Sequence, residues 1–324
     1  MKTVAARLAF VFFFLYPYPA SGQDTLCVYY LNVGQADAIY IQCPTKEHTM
    51  LIDAADTRYP ESAFRFQKEL KKLTGGLKKK IDVVVASHNH ADHLGSMKWV
   101  LEHYDVVRFL DNGHNPGTAL YKNIMTVVKK QVKKHELEYL PLNKAGKDFV
   151  DFCPDAKVNA EIIQASGAYK DCKNQNDCSV IVRLEYLKTS FLFVGDAEKE
   201  LEKEILNDPI ATKEIDTDVL KAGHHGSTTS STLDFIKAVS PELVVVSCGK
   251  KGIGTNVGYK HPQLASLTNF NSVLTTEKYR TGLIEVYDYK KAKWTKKKAK
   301  EGIYYTKVDG NVAVLSDGEH VWKK

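Results

Sequence analysis

One stretch, "IDVVVASHNHADHLGS" (residues 81–96), limits this chain more than any other. "IDVVVAS" is an apolar, β-branched run without polar alternation, the pattern of a buried strand. His88 therefore stands at a strand's carboxyl end, and His90, Asp92 and His93 follow at once. In an extended segment the i, i+2 spacing points His88 and His90 the same way. Asp92 and His93 fall where "DHLGSMKWVLEHY" would begin a helix. The cluster offers His88 and His90 to one metal ion, and Asp92 and His93 to another. Imidazole combined with carboxylate suits zinc or manganese.

Further strand-like runs include "CVYYLNV", "AIYIQC", "HTMLIDAA", "VVRFLDN", "VIVRLEYLKTSFLFVGD", "TDVLKAG" and "ELVVVSCG". Helical patterns at 61–73, 117–134, 197–206 and 231–239 alternate with them. This mixture predicts an α/β fold of two sheets covered by helices. A hydrophobic content of 44% over 324 residues supports a sizeable core and excludes a disordered chain.

Later strand ends carry more metal-seeking groups. Asp196 follows "SFLFV" and has two oxygens, enough to bridge two ions; a helix N-cap would look the same. His224 and His225 lie beside glycines in "LKAGHHGST", and His261 follows a glycine-rich loop. Either His224 or His261 is a candidate to protonate a leaving oxygen, with Asp92 alongside in the catalytic group. Asp53 in "LIDA" is a candidate to orient a cluster histidine, and Asn32 to support the same edge.

These motifs resemble the metallo-β-lactamase superfamily, whose fold is a four-layered αβ/βα sandwich with metals at one edge. The similarity is closer to the hydrolase domain of the ComEC DNA-uptake family. It extends over about residues 25–324, through "LNVGQADAI", "LIDA", "SHNHADHLG", "FLFVGD", "LKAGHHGSTTSS", "HPQ" and the closing "SDG". Teichoic-acid phosphorylcholine esterases share the His-x-His-x-Asp-His and His-His-Gly pattern. The resemblance implies His88 and His90 as ligands of a first metal. It implies Asp92, His93 and His225 as ligands of a second, Asp196 as the bridge, and His224 facing substrate. Many superfamily members carry one more histidine before the bridging aspartate. Here that segment reads "NQNDCSVIV", without a histidine. The family's membrane channel has no counterpart, so DNA transport does not carry over.

The N-terminus reads as a signal peptide over 1–22: Lys2 and Arg7, then "LAFVFFFL", then Ala20-Ser21-Gly22. Residues 23–324 would then form an exported hydrolase domain, secreted without a stable membrane partner. Removing Lys2 and Arg7 lowers the net charge from +6 to +4. Six cysteines in an exported chain suggest disulfides. A hairpin register of index sum 70 would face Cys27 with Cys43, and Cys172 and Cys178 close a short loop. Cys153 and Cys248 remain, as a pair or as buried thiols. The lysine-rich insert "YKKAKWTKKKAK" (289–300) surrounds Trp294 and reads as a hairpin tip. Lys296, Lys297, Lys298 and Trp294 are candidates for binding a phosphate backbone. The expected function is a two-metal phosphodiesterase or nuclease. The alternatives are an esterase of small phosphodiesters such as phosphorylcholine, and a non-catalytic metal- or nucleic-acid-binding protein.

Overall fold

The computed structural model describes residues 25–142, 150, 152–154, 157–163 and 174–324. The proposed signal peptide (1–22) and Cys172 lie outside the described residues. The first strands are β1 (Leu26–Tyr30), β2 (Ile39–Gln42), β3 (Thr49–Ile52), β4 (Lys80–Val85), β5 (Asp105–Asp111) and β6 (Glu138–Pro141). Then come β7 (Val158–Ile163), β8 (Ile181–Tyr186), β9 (Thr189–Phe193), β10 (Val219–Lys221) and β11 (Leu243–Val246). A hairpin of β12 (Ile284–Asp288) and β13 (Lys293–Lys297) precedes β14 (Ile303–Tyr305), β15 (Val312–Ser316) and β16 (Val321–Lys323).

Among the described residues, one sheet runs β16-β15-β1-β2-β3-β4-β5-β6 and the other β14-β11-β10-β9-β8-β7. Each sheet is antiparallel on one side and parallel on the other, the parallel strands being β3 to β6 and β9, β10, β11 and β14. The alternating inward residues of both sheets meet in one core, where Val28, Ile41, Val83 and Val85 pack with Val182, Phe191, Phe193 and Val245. The opposite face of the first sheet is covered by helices at Pro60–Thr74, Met97–His103 and Ala119–Lys133. Helices at Lys199–Asn207, Leu233–Val239 and Leu264–Val273 cover the second. This is the four-layered αβ/βα arrangement. No helix among the described residues is long and apolar enough to cross a membrane.

Local sequence explains the helix limits. Pro60 starts the first long helix at a position where its missing N–H is harmless, and Phe66 and Leu70 face inward. Gly75, left-handed at φ 75°, ends it.

The expected Cys27–Cys43 disulfide is overturned. The β1–β2 register pairs Cys27 with Gln42 and Tyr30 with Ile39, one residue away from the expected pairing. The connection is closed by Leu31 N–H on Ala38 O, and its Asp37 N–H donates to Asp92 O. The loop's docking on the metal-seeking cluster therefore sets the register, not a tight turn at Gly34-Gln35. A one-residue slip puts Cys27 and Cys43 on opposite faces of the sheet. Cys43 turns into the intersheet core and bonds Cys153, 110 residues away. Cys27 and Cys248 are buried free thiols. Cys178 is disulfide-bonded.

Candidate metal centre

Parallel strands of both sheets end at one edge, and the loops after them carry the site, as is general for open α/β sheets. β3 delivers Asp53, β4 delivers His88 to His93, β9 delivers Asp196, and β10 delivers His224 and His225. Gly195 allows Asp196 to approach. It is left-handed at φ 51°, and a Cβ there would lie 2.9 Å from Ser87 Cβ and Ser179 Oγ. His224 (φ 43°, ψ 50°) and His225 (φ 53°, ψ 24°) are both left-handed, between Gly223 and Gly226. Such backbone costs about 1–3 kcal/mol per non-glycine residue and concentrates at functional sites. Here it turns two consecutive imidazoles toward the same carboxylate.

The rings converge on Asp196 Oδ2. His93 Nε2 lies 3.1 Å away, His225 Nε2 3.4 Å, and His88 Nε2 and His224 Nε2 each 3.9 Å. Asp92 Oδ2 is 3.6 Å from His225 Nε2. His88 Nε2 and His90 Nδ1 are 3.1 Å apart; two ligands ~2.1 Å from a tetrahedral ion stand about 3.4 Å apart.

The far side of each ring is anchored. His93 Nδ1–H donates to Asp53 Oδ2 at 2.7 Å, and His225 Nδ1–H donates to the Ser247 carbonyl at 3.0 Å. Both bonds fix the tautomer and leave Nε2 for the metal side. His93 Nε2 and His225 Nε2 are buried without a hydrogen-bond partner. Buried ring nitrogens left without a partner beside carboxylates fit a cation. His93, His225 and Asp196, with Asp37, also form a buried group of the size that holds an ion.

Charge supports the same fit. Burial holds His88, His90 and His261 below the usual imidazole pKa. For His93 and His225 burial works the same way, but Asp196 and other carboxylates outweigh it and raise the pKa. Burial would also raise Asp92 and Asp196, but the surrounding histidines overcome it and hold both carboxyls low. The centre thus holds ionised carboxylates and attracts positive charge.

Behind Asp196 lies a cation that sequence reasoning did not single out. Lys221, 1% exposed, pairs with Asp37, donates to Gly195 O at 2.7 Å and stands 3.7 Å from Asp196 Oδ1. Burial opposes its charge, yet Asp37 and Asp196 hold its pKa above the ordinary lysine value. Arg58, Gln35 and Glu198 were also missed. Arg58 is forked on Asp56, with one arm 3.5 Å from Asp92 Oδ1. Gln35 accepts from Gly249 N–H through Oε1, which leaves Nε2 to donate to His261 Nδ1 at 3.0 Å. His261 then carries its proton on Nε2. Asp37 and Lys221 sit inside "LNVGQADAI" and "LKAGHHGST", but no periodicity marks a lone aspartate or lysine as paired.

The edge opens into a cleft of about 360 Å³ lined by Arg58, Asn176, His224, Tyr259, His261 and Tyr289, among others. Asn176 stands in the segment that lacks the additional histidine. Its Nδ2 donates to Glu198 Oε1 at 3.3 Å, and its Oδ1 is buried without a partner. His224 Nδ1 contacts Glu198 Oε1 at 2.9 Å. Burial would raise Glu198, but bonds from His224, Thr229 and Asn174 bring it down to about 2.

Asn32 lines an adjoining cleft with Asp56 and Lys250, away from the histidines. The lysine-rich segment is not all tip. Lys290 and Lys291 form the tip, whereas Trp294, Lys296 and Lys297 lie on β13. The Trp294 ring is packed by Tyr287 and covered by Lys307 Nζ at 5.3 Å. Lys297 and Lys298 are exposed.

The model of the metallo-beta-lactamase superfamily matches residues 31–250. The chain belongs to this superfamily. The match spans Asp37 to the His224–His225 pair, and so includes every ligand candidate of the centre. Among curated relatives, ComE operon protein 3 of Bacillus subtilis (strain 168) is 26% identical over 294 residues, covering 86% of this chain and 35% of the relative. Recombination protein 2 of Haemophilus influenzae is 23% identical over 171 residues, covering 52% of this chain and 18% of the relative. The chain therefore spans about a third or less of these relatives' length. A solved structure, Igni18, a metallo hydrolase of the archaeon Ignicoccus hospitalis, is similar at 15% identity with a TM-score of 0.41, covering 68% of this chain and 81% of that one.

Proposed function

We propose that the chain is an exported two-metal phosphodiesterase acting on nucleic acid. The convergence of four imidazoles on one oxygen of Asp196, at the floor of an open polar cleft, carries the reading. Two bound divalent ions, zinc or manganese, would supply Lewis acidity to a phosphoryl oxygen and an activated water. The chain's own groups complete the chemistry. Arg58, fixed by Asp56, is positioned to take a phosphate oxygen. His224, its Nδ1 held by Glu198, is the group to give a proton to the leaving oxygen. Neutral His261 offers Nε2–H as a hydrogen-bond donor. The similarity to the DNA-uptake hydrolase domain directs the substrate reading to polynucleotides, and the N-terminal 22 residues direct the location reading to export.

A panel of plasmid DNA, single-stranded DNA, RNA and bis(p-nitrophenyl) phosphate, with and without Mn²⁺ or Zn²⁺, tests this. Metal-dependent cleavage of a polynucleotide is expected, and Asp196→Ala should abolish it together with bound metal. Tyr259 and Tyr289 beside the cleft favour one second reading, a choline-bearing small diester held against aromatic faces. Hydrolysis of p-nitrophenyl phosphorylcholine without polynucleotide cleavage would select it.

A further inference from the structure

Beyond the metal cleft, a second concave surface carries four lysines. Lys250, Lys251, Lys296 and Lys307 line a cleft of about 460 Å³, together with Leu283, Val308 and a single carboxylate, Glu285. Lys307 is the unusual member. It is 8% exposed, donates to the Glu285 carbonyl at 2.6 Å and lies over the Trp294 ring. No carboxylate among the described residues pairs with it. Burial holds its pKa below the ordinary lysine value. Glu285 acts on it only at longer range, and a buried cation without a close counter-charge gains from an added anion.

Shared wall residues place the cleft near the metal centre. Gln35 lines both the metal cleft and the adjoining cleft, and Lys250 and Ile253 line both that cleft and the lysine cleft. Exposed aliphatic groups accompany the cations: Ile253, Leu283 and Val308 are 45%, 52% and 53% exposed. Cations that can hold phosphates, beside apolar groups that can cover sugar and base, suit a nucleotide strand better than a free anion.

We infer that the Lys250, Lys251, Lys296 and Lys307 cleft is a phosphate-backbone subsite. It holds a polynucleotide at a distance from the bond cut at the metals. The inference rests on the nucleic-acid reading of the metal centre and extends it to chain length: long strands should be preferred over dinucleotides.

The test uses fluorescent single-stranded DNA from 2 to 20 nucleotides, with bis(p-nitrophenyl) phosphate as a substrate that ends at the metal cleft. The variant is K250A/K251A/K296A. Because Lys307 is buried, K307M is tested separately. A control of equal charge, K129A/K130A/K133A, removes exposed lysines from the helix Ala119–Lys133. The cleft variant should raise KM for the 20-mer at least tenfold at low salt. It should flatten the log–log salt slope by about 2, since each single-strand phosphate contact contributes about 0.7. The dinucleotide and the small diester should change less than twofold. An unchanged KM for the 20-mer, or an equal loss in the control variant, would overturn the subsite. So would binding of this face to phosphatidylserine vesicles in place of DNA. If the wild-type protein hydrolyses the small diester but neither binds nor cuts any oligonucleotide, the nucleic-acid reading itself falls, and the subsite with it.

Discussion

Lys221 Nζ stands 3.7 Å from Oδ1 of Asp196, while Oδ2 of the same carboxylate faces the four imidazoles. One oxygen of Asp196 thus faces a fixed ammonium, and the other faces the imidazoles. Lys221 acts as a positioning residue that limits how Asp196 can turn.

Replacing Lys221 should be costly for this reason. Lys221→Met leaves Asp37 buried and uncompensated, and breaking a buried pair costs about 3–5 kcal/mol. The double variant Lys221→Met/Asp37→Asn should recover much of that stability while metal affinity stays low. Denaturant unfolding of the metal-free proteins, with calorimetric metal titration, separates the two effects. Full metal affinity in the double variant would refute the positioning role.

Asp53 accepts the Nδ1 proton of His93 and so presents Nε2 to the metal side. Asp53→Ala should weaken binding of one ion by about 10–100-fold, the usual effect of losing such an anchor. The other ion should be affected less. Competition with a chromogenic chelator reads both constants, and equal loss at both sites would argue for general collapse.

The His224–Glu198 contact leads to a leaving-group test. If His224 supplies the proton, His224→Gln should slow a diester with an alkoxide leaving group by about 10²-fold or more. A nitrophenolate leaves without help and should be slowed far less. Glu198→Gln should give the same pattern in weaker form. Equal effects on both leaving groups would assign His224 to substrate binding.

Non-reducing peptide mapping should recover Cys43 linked to Cys153, with Cys27 and Cys248 alkylated only after unfolding. The bond closes a loop of 110 residues, so Cys43→Ala/Cys153→Ala should lose about 4–5 kcal/mol at most by chain entropy. A Cys27–Cys43 link would restore the register expected from the sequence.

The sequence alone determined much of the candidate centre, because its candidate ligands are crowded into short stretches at the ends of apolar runs. His88, His90, Asp92 and His93 share one six-residue stretch running from a strand end into a helical turn, and Asp196 and the His224–His225 pair each follow a strand legible from composition. The helices were legible for the same local reason: Phe66 and Leu70 mark the buried face of one, and Pro60 and Gly75 mark its ends. Tertiary structure decided which distant groups meet. Asp37 reaches Lys221 because the loop after β1 docks on Asp92. That docking also shifts the β1–β2 register by one residue, which separates Cys27 from Cys43 and gives Cys43 to Cys153. Lys296 joins Lys250, Lys251 and Lys307 across the fold, whereas its sequence neighbours Lys297 and Lys298 do not line that cleft. Periodicity reports which face of an element is buried. It carries no information on which other element covers that face, and a one-residue slip in a strand reverses every side chain on it.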